Sequence, residues 1–239
     1  MFNEFFNAIT STSCIKNVTL PSYALYDANN INEQDITLLT TELLHCNEKK
    51  IIARRKKIIA KKEYIASRLL IKLHIAKYLN IPYQDLHLDF DEQATQLKAI
   101  YNAKPLALNI SLAHSKGIIF FAITKSTVKV GVDIEFQNPH RDTQQLIEAY
   151  FHPVEVSALL GSEKSQFYQY WTLKEALAKM ANKTVLEILK QDIRKQLFHY
   201  HHATGQYQEF SLSIVQTDPI EVQSLYLVHS DDILQLRHE

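Results

Sequence analysis

Two acids one residue apart, Asp133 and Glu135 in the run GVDIEF, have the type and spacing to hold a metal ion. In a strand successive side chains alternate. Val132, Ile134 and Phe136 then take one face, and the two carboxylates take the other with Cα atoms about 6.6 Å apart. Hard divalent cations, Mg²⁺ above all, are held by one or two such carboxylates together with phosphate oxygens. An ordinary strand with one wet face has the same pattern, so the pair alone does not decide. A second run, WTLKEALAKM at residues 171–180, contains the sole tryptophan, Trp171, with Lys174, Glu175 and Lys179 close behind it. On a helix Trp171, Glu175 and Ala178 share a face that Lys174 and Lys179 flank. That suits an amphipathic helix whose Glu175 and Lys179 pair across one turn. It equally suits a site where the acid meets a cation and the lysines meet an anion. His114, in SLAHSKG at the end of an apolar run, is either a structural histidine or a phosphate contact. The tract His199–His202 is not expected to hold a metal, because adjacent side chains in a strand point to opposite faces.

The elements that must position these residues can be read from hydrophobic period. From Asn47 to Leu79 apolar residues recur at three, four and seven, the longest helical signal, with a break expected near Ala60 and a stop at Pro82. Four β-rich runs follow: LHLDF, KPLALNISLAH, KGIIFFAIT and VKVGVDIEF. Residues 141–160 return to helical spacing, with Pro153 and Glu155 suiting a helix start, and Ser165–Met180 is a further helix. FSLSIV and EVQSLYLVHS read as strands, as does a short stretch near Tyr23–Tyr26. The expected fold is α+β with two similar lobes, residues 1–128 and 129–239, meeting at a seam near Ser126–Lys129.

Charge is segregated although it sums to zero. Between Lys49 and Lys77 eleven Lys or Arg stand against the single acid Glu63, a local balance of +10. This stretch is read mainly as a solvated helix face, part of which binds a small polyanion. Nucleic-acid binding is the competing reading, weakened by the lack of interleaved aromatics, since only Tyr64 and Tyr78 occur there. Four glycines exclude a Gly-rich phosphate loop, so side chains must hold any phosphate. Cys14 and Cys46 read as reduced thiols, and the start MFNEFFNAIT has no leader pattern. The expected compartment is the cytoplasm, with no membrane partner.

Taken in order, the basic helix with Arg68, Lys104-Pro105, SLAHS, GVDIE, FHPVE and WTLKEALAK resemble the Sfp-type 4'-phosphopantetheinyl transferases over residues 45–181. The resemblance implies a pseudo-symmetric fold of two α+β lobes with coenzyme A and Mg²⁺ in the cleft between them. It implies that Asp133, Glu135 and Glu175 hold Mg²⁺ and that Lys174 and Lys179 flank the metal and pyrophosphate; Glu175, held ionised by a lysine such as Lys179 beside it, then takes a serine proton directly or through a metal-bound water. Arg54 or Arg55, Arg68, Lys104 and His114 would contact the phosphates or nucleotide of coenzyme A. The implied activity moves 4'-phosphopantetheine onto an apo acyl or peptidyl carrier protein and releases 3',5'-ADP, the protein acting as a monomer. A coenzyme A-binding relative without catalysis is the remaining alternative. Two positions depart from the family pattern: Ala103 precedes Lys104 where glycine is usual, and Ala113 precedes His114 where serine is frequent.

Overall fold

The computed structural model describes residues 18–92, 95–220 and 225–228. Cys14, the start MFNEFFNAIT and both flanks of the strand expected over 221–230 lie outside them. The fold is α+β, and its chain divides into two compact units, one of residues 127–220 and one of residues 18–126 with 225–228.

The second of these is built on a large sheet. Its strands are β1 (Ser22–Asp27), β2 (Leu86–Asp91), β3 (Gln96–Tyr101), β4 (Lys104–Pro105), β5 (Leu108–Ser115), β6 (Ile118–Lys125) and β10 (Leu225–Leu227). They run in the order β10-β1-β6-β5-β3-β2, with β4 paired to β3. Among the described residues of this sheet, only the β1–β10 pairing is parallel. Two hairpins close on two-residue turns, Asn102-Ala103 (φ 49° and 59°) and Lys116-Gly117 (φ 50° and 92°), the left-handed backbone that matches strand twist.

Three helices accompany this sheet: α1 (Glu33–Leu43), α2 (Cys46–Ala53) and α3 (Ile58–Leu79). The expected long helix is thus two, and the break falls at Arg54–Lys57, where four consecutive cations form the linker, rather than near Ala60. α3 ends at Asn80 in a left-handed cap (φ 52°), two residues before Pro82. The solvated face expected for this segment is present in its first part, where Lys50, Arg54, Lys56 and Lys57 are exposed, and is corrected for the rest of α3. Every residue from Glu63 to Ala76 is buried, because Ile65, Leu69, Leu70, Ile71, Leu73 and Ile75 make the helix apolar all round. Lys72 is enclosed with it, its Nζ 3.2 Å from Glu48 of α2 and donating to the Leu43 carbonyl at 3.0 Å.

The other unit holds β7 (Val130–Phe136), β8 (His201–Tyr207) and β9 (Phe210–Gln216) in an antiparallel sheet ordered β7-β9-β8. His201 in β8 is exposed and His202 is half-buried. Around this sheet lie α4 (Thr143–Tyr150), α5 (Pro153–Leu159), α6 (Lys164–Ala181), α7 (Val185–Leu189) and α8 (Ile193–Leu197). The expected start at Pro153 is present: His152 caps α5 and Glu155 returns to the His152 amide. α6 packs across β7 and β9, and the hydroxyls of Thr172 and Ser213 share a hydrogen bond at 2.7 Å between helix and sheet. Trp171 is half-buried against Phe167 and Phe151, with ring centroids 5.6 and 6.4 Å away.

Two residues set how α6 sits. A Cβ on Gly131 would lie 1.9 Å from the Ala176 carbonyl oxygen and 2.6 Å from the Met180 nitrogen, so β7 and the helix backbone are in direct contact there. Lys174, expected beside a pyrophosphate, is instead wholly buried. Its ammonium is 2.7 Å from Glu155 and donates to the carbonyls of Ile188, Leu189 and Gln191 at 3.2, 3.0 and 2.6 Å. Burial lowers its pKa, and the Glu155 carboxylate opposes that. Glu155 also accepts the Ile193 N–H at 2.8 Å, so this pair joins α5, α6 and the α7–α8 connection. Lys174→Ala should therefore cost about 3–5 kcal/mol, because it strands a buried carboxylate. Gly131→Ala should cost about 3 kcal/mol by forcing backbone from backbone. Urea midpoints of both variants against wild type check the two values.

Candidate active site

The acids expected to act together are brought to one place by β7 and α6. Asp133 is 5% exposed and Glu135 half-buried on the strand, and Glu175 is half-buried one helical turn before Lys179. Lys179 Nζ donates to Asp133 Oδ1 at 2.9 Å and to the Val132 carbonyl at 3.1 Å, pinning helix to strand beside the acids. Burial pushes the Glu175 carboxyl up to about 7. The charge on Asp133 adds to the shift, Lys179 opposes it, Glu135 raises it further and Arg141 opposes it again. Asp133 and Glu135 thus bear on Glu175 through their charge, and burial together with that charge disfavours its ionised form.

Arg141 was not among the expected site residues. It lies in the loop between β7 and α4, with its guanidinium 4.9 Å from the Trp171 ring centre, close enough to bear on Glu175. Trp171 thereby gains a second role beyond packing, as a platform for a cation. The only sequence signal was a basic residue in the polar loop after GVDIE, a weak one.

The remaining expected residues lie in the large-sheet unit. Arg68 of α3 is buried, its guanidinium 4.4 Å from the Tyr64 ring centre, and Arg55 approaches the same ring at 4.8 Å. Burial is the main force lowering the Arg68 pKa. His114 Nδ1 is 3.1 Å from Glu63 Oε2. Arg54 is exposed in the cationic linker, and Lys104 is exposed just after the Asn102-Ala103 turn. Ala103 adopts φ 59° there, the backbone that glycine takes without strain, which gives a physical reason for the family's usual residue.

Residues 129–226 match the family model of the 4'-phosphopantetheinyl transferase superfamily. The chain is similar to the 4'-phosphopantetheinyl transferase HetI of Nostoc sp. PCC 7120, at 22% identity over 168 residues, covering 69% of this chain and 62% of that protein. It is also similar to slr0495 of Synechocystis sp. PCC 6803, provisionally assigned the same activity, at 26% identity over 137 residues, 56% of this chain and 54% of that protein. The matched stretch is thus under two thirds of the length of either relative. Gly131, the acid pair, Arg141, the buried Lys174–Glu155 pair, Glu175 and Lys179 all fall inside the segment that the model of the 4'-phosphopantetheinyl transferase superfamily recognises.

Proposed function

We propose that the protein transfers 4'-phosphopantetheine from coenzyme A to a serine hydroxyl of an apo acyl or peptidyl carrier protein, releasing 3',5'-ADP. The observation that supports this most is that Asp133 and Glu135 bear electrostatically on Glu175, with Lys179 bonded to Asp133, within the matched segment. Among the described residues no three His, Cys, Asp or Glu side chains converge on a metal as they stand. The donor chemistry nevertheless fits Mg²⁺: all three groups are hard oxygen donors, and the charges of Asp133 and Glu135 add to burial in raising the Glu175 pKa. Asp133, Glu135 and Glu175 would hold the ion. When bound it would neutralise charge on a pyrophosphate, worth several kcal/mol in the transition state.

The chain's own groups divide the remaining work. In the transfer the serine oxygen bonds to the β-phosphorus of coenzyme A, the bridging P–O bond breaks, and its electron pair leaves with 3',5'-ADP. Glu175 accepts the serine proton as general base. Lys179, already directed at Asp133, supplies positive charge to phosphate oxygens. Arg54, Arg55, Arg68, Lys104 and His114 supply further donors for the coenzyme A phosphates and nucleotide. Lys174 has no part in this, its ammonium being consumed by Glu155 and three carbonyls. The match to the transferase superfamily does not favour the nucleic-acid reading. Cytoplasmic action as a monomer completes the proposal. Among the described residues no helix is long and apolar enough to cross a membrane, and Cys46 is an exposed free thiol.

The proposal is tested by incubating the protein with coenzyme A, Mg²⁺ and a panel of apo carrier proteins and weighing the carriers. Each substrate carrier should gain one phosphopantetheine. Asp133→Ala should abolish the gain, and Glu175→Gln should slow single-turnover transfer at least 10²-fold with the fold intact. Transfer at the wild-type rate by Glu175→Gln, or in excess EDTA, would overturn the assigned roles.

The raised pKa of Glu175 carries its own signature. The metal-free folded protein binds this proton more tightly than the unfolded chain does. Stability should therefore fall as pH rises from about 4.5 towards 7. Glu175→Gln should flatten that part of the profile. Mg²⁺ competes with the same proton, so its stabilising effect should be larger at about pH 8 than at about pH 6. Thermal melts with and without Mg²⁺ across that range read both effects.

A further inference from the structure

The side of α6 turned away from Glu175 and Lys179 borders a cavity of about 250 Å³. Tyr170 and Leu173 of α6, Ile193 and Leu197 of α8 and His202 of β8 make its wall, and Arg194 is the one charged residue that lines it. Burial lowers the His202 pKa, so this ring is an uncharged part of the wall at neutral pH. Phe198, which ends α8, lines the same cavity and is 83% exposed, the most open large hydrophobic side chain among the described residues. An aromatic ring left in water beside an apolar hollow marks a place where a partner is received.

The charge around the cavity has one sign. From Lys190 to His202 the exposed ionic side chains are Lys190, Arg194 and Lys195, and the single acid, Asp192, is buried. Asp192 accepts from the Arg194 amide at 3.2 Å and from its guanidinium at 3.3 and 3.5 Å. It offsets that one cation and leaves Lys190 and Lys195 in excess. The cavity is smaller than the roughly 300–1,000 Å³ of sites that take a small molecule or cofactor, and suits apolar side chains presented by a protein. We propose that this surface docks the carrier protein away from the acid cluster: an acidic amphipathic helix of the carrier lays an apolar anchor against Phe198 and the wall between α6 and α8, and sets its carboxylates against Lys190, Arg194 and Lys195. The proposal rests on the reading of the protein as a transferase acting on a carrier. One carrier can make both contacts at once. α6 is about 10–12 Å thick with its side chains, whereas a folded domain of about 100 residues has a radius of gyration of about 13 Å. A domain of that size covers the outer side of the helix and still brings a serine to Glu175. A second copy of this chain fits the surface less well, because it would set like charges against each other.

Phe198→Asp tests the anchor and Lys195→Glu the charge. Both side chains are exposed, so melting temperatures should stay within about 2 °C of wild type. In transfer assays each variant should raise KM for the carrier about tenfold, with kcat within about twofold and KM for coenzyme A unchanged. A labelled carrier with its acceptor serine replaced by alanine, titrated with the full chain, should bind each variant about tenfold more weakly than wild type. Added salt should weaken its binding to wild type more than its binding to Lys195→Glu. Unchanged carrier KM and unchanged binding of the serine-less carrier in Phe198→Asp, or a loss confined to kcat or to KM for coenzyme A, would overturn the proposal. So would a wild-type dimer in sedimentation that Phe198→Asp converts to monomer, which would give the cavity to a second copy. A wild-type protein that modifies no carrier in the panel overturns the transferase reading instead. If serine-less carriers still bind it and Phe198→Asp weakens that binding, the docking surface stands; if none binds, both readings fall.

Discussion

The contact at Gly131, where the backbone of α6 rests on β7 with no side chain between, is the constraint on which the acid cluster depends. Asp133 and Glu135 are fixed to the strand, and Glu175 and Lys179 to the helix. Only the separation of the two backbones decides whether their charges interact. Because that separation is set by main-chain atoms, it cannot be adjusted by repacking a flexible side chain. Thr172 and Ser213 hold the same interface with a buried hydroxyl pair, and Lys179 closes it at the edge.

Two lysines five residues apart on one helix have opposite fates. Lys174 points into the unit and acts as an internal cation, collecting carbonyls at the end of α7 and the carboxylate of Glu155. Lys179 reaches the edge of β7 and remains one-third exposed beside the acids. The helix keeps its charge for two different reasons, one concerned with assembly and one with the chemistry of the site. Trp171 joins them, because its ring packs on Phe151 and Phe167 and also carries the Arg141 guanidinium.

The sequence made β7 and α6 legible because each obeys one strict period, and both acids of GVDIE and Glu175 follow from those periods. It did not disclose that Lys174 is enclosed, because its partner Glu155 lies in a separate helix start and one helix's spacing cannot show which cations are buried. The enclosure of α3 was hidden similarly. Its lysines and arginines suggested a wet face, while its aliphatic residues occupy every angular position, and only the surrounding sheet decides between the two. β3 and β8 escaped because QLKAIY and HHATGQY are short and weakly alternating, so their pairing with β2 and β9 supplies what the local pattern lacks. The bond between Glu63 and His114 spans the whole of β2 to β5 and has no local signal at all.

The parallel pairing of β10 with β1 has a consequence for the order in which the protein can be made. Synthesis releases β1, its helices and β2 to β6 first, then the entire unit of residues 127–220, and only afterwards the strand that covers the free edge of β1. Throughout that interval the nascent sheet offers unpaired backbone N–H and C=O groups along β1, next to the apolar strand Ile118–Lys125. The large-sheet unit thus stays open to wrong partners while the rest of the chain is translated, and its hazard in the cell is set by elongation time as well as by its stability.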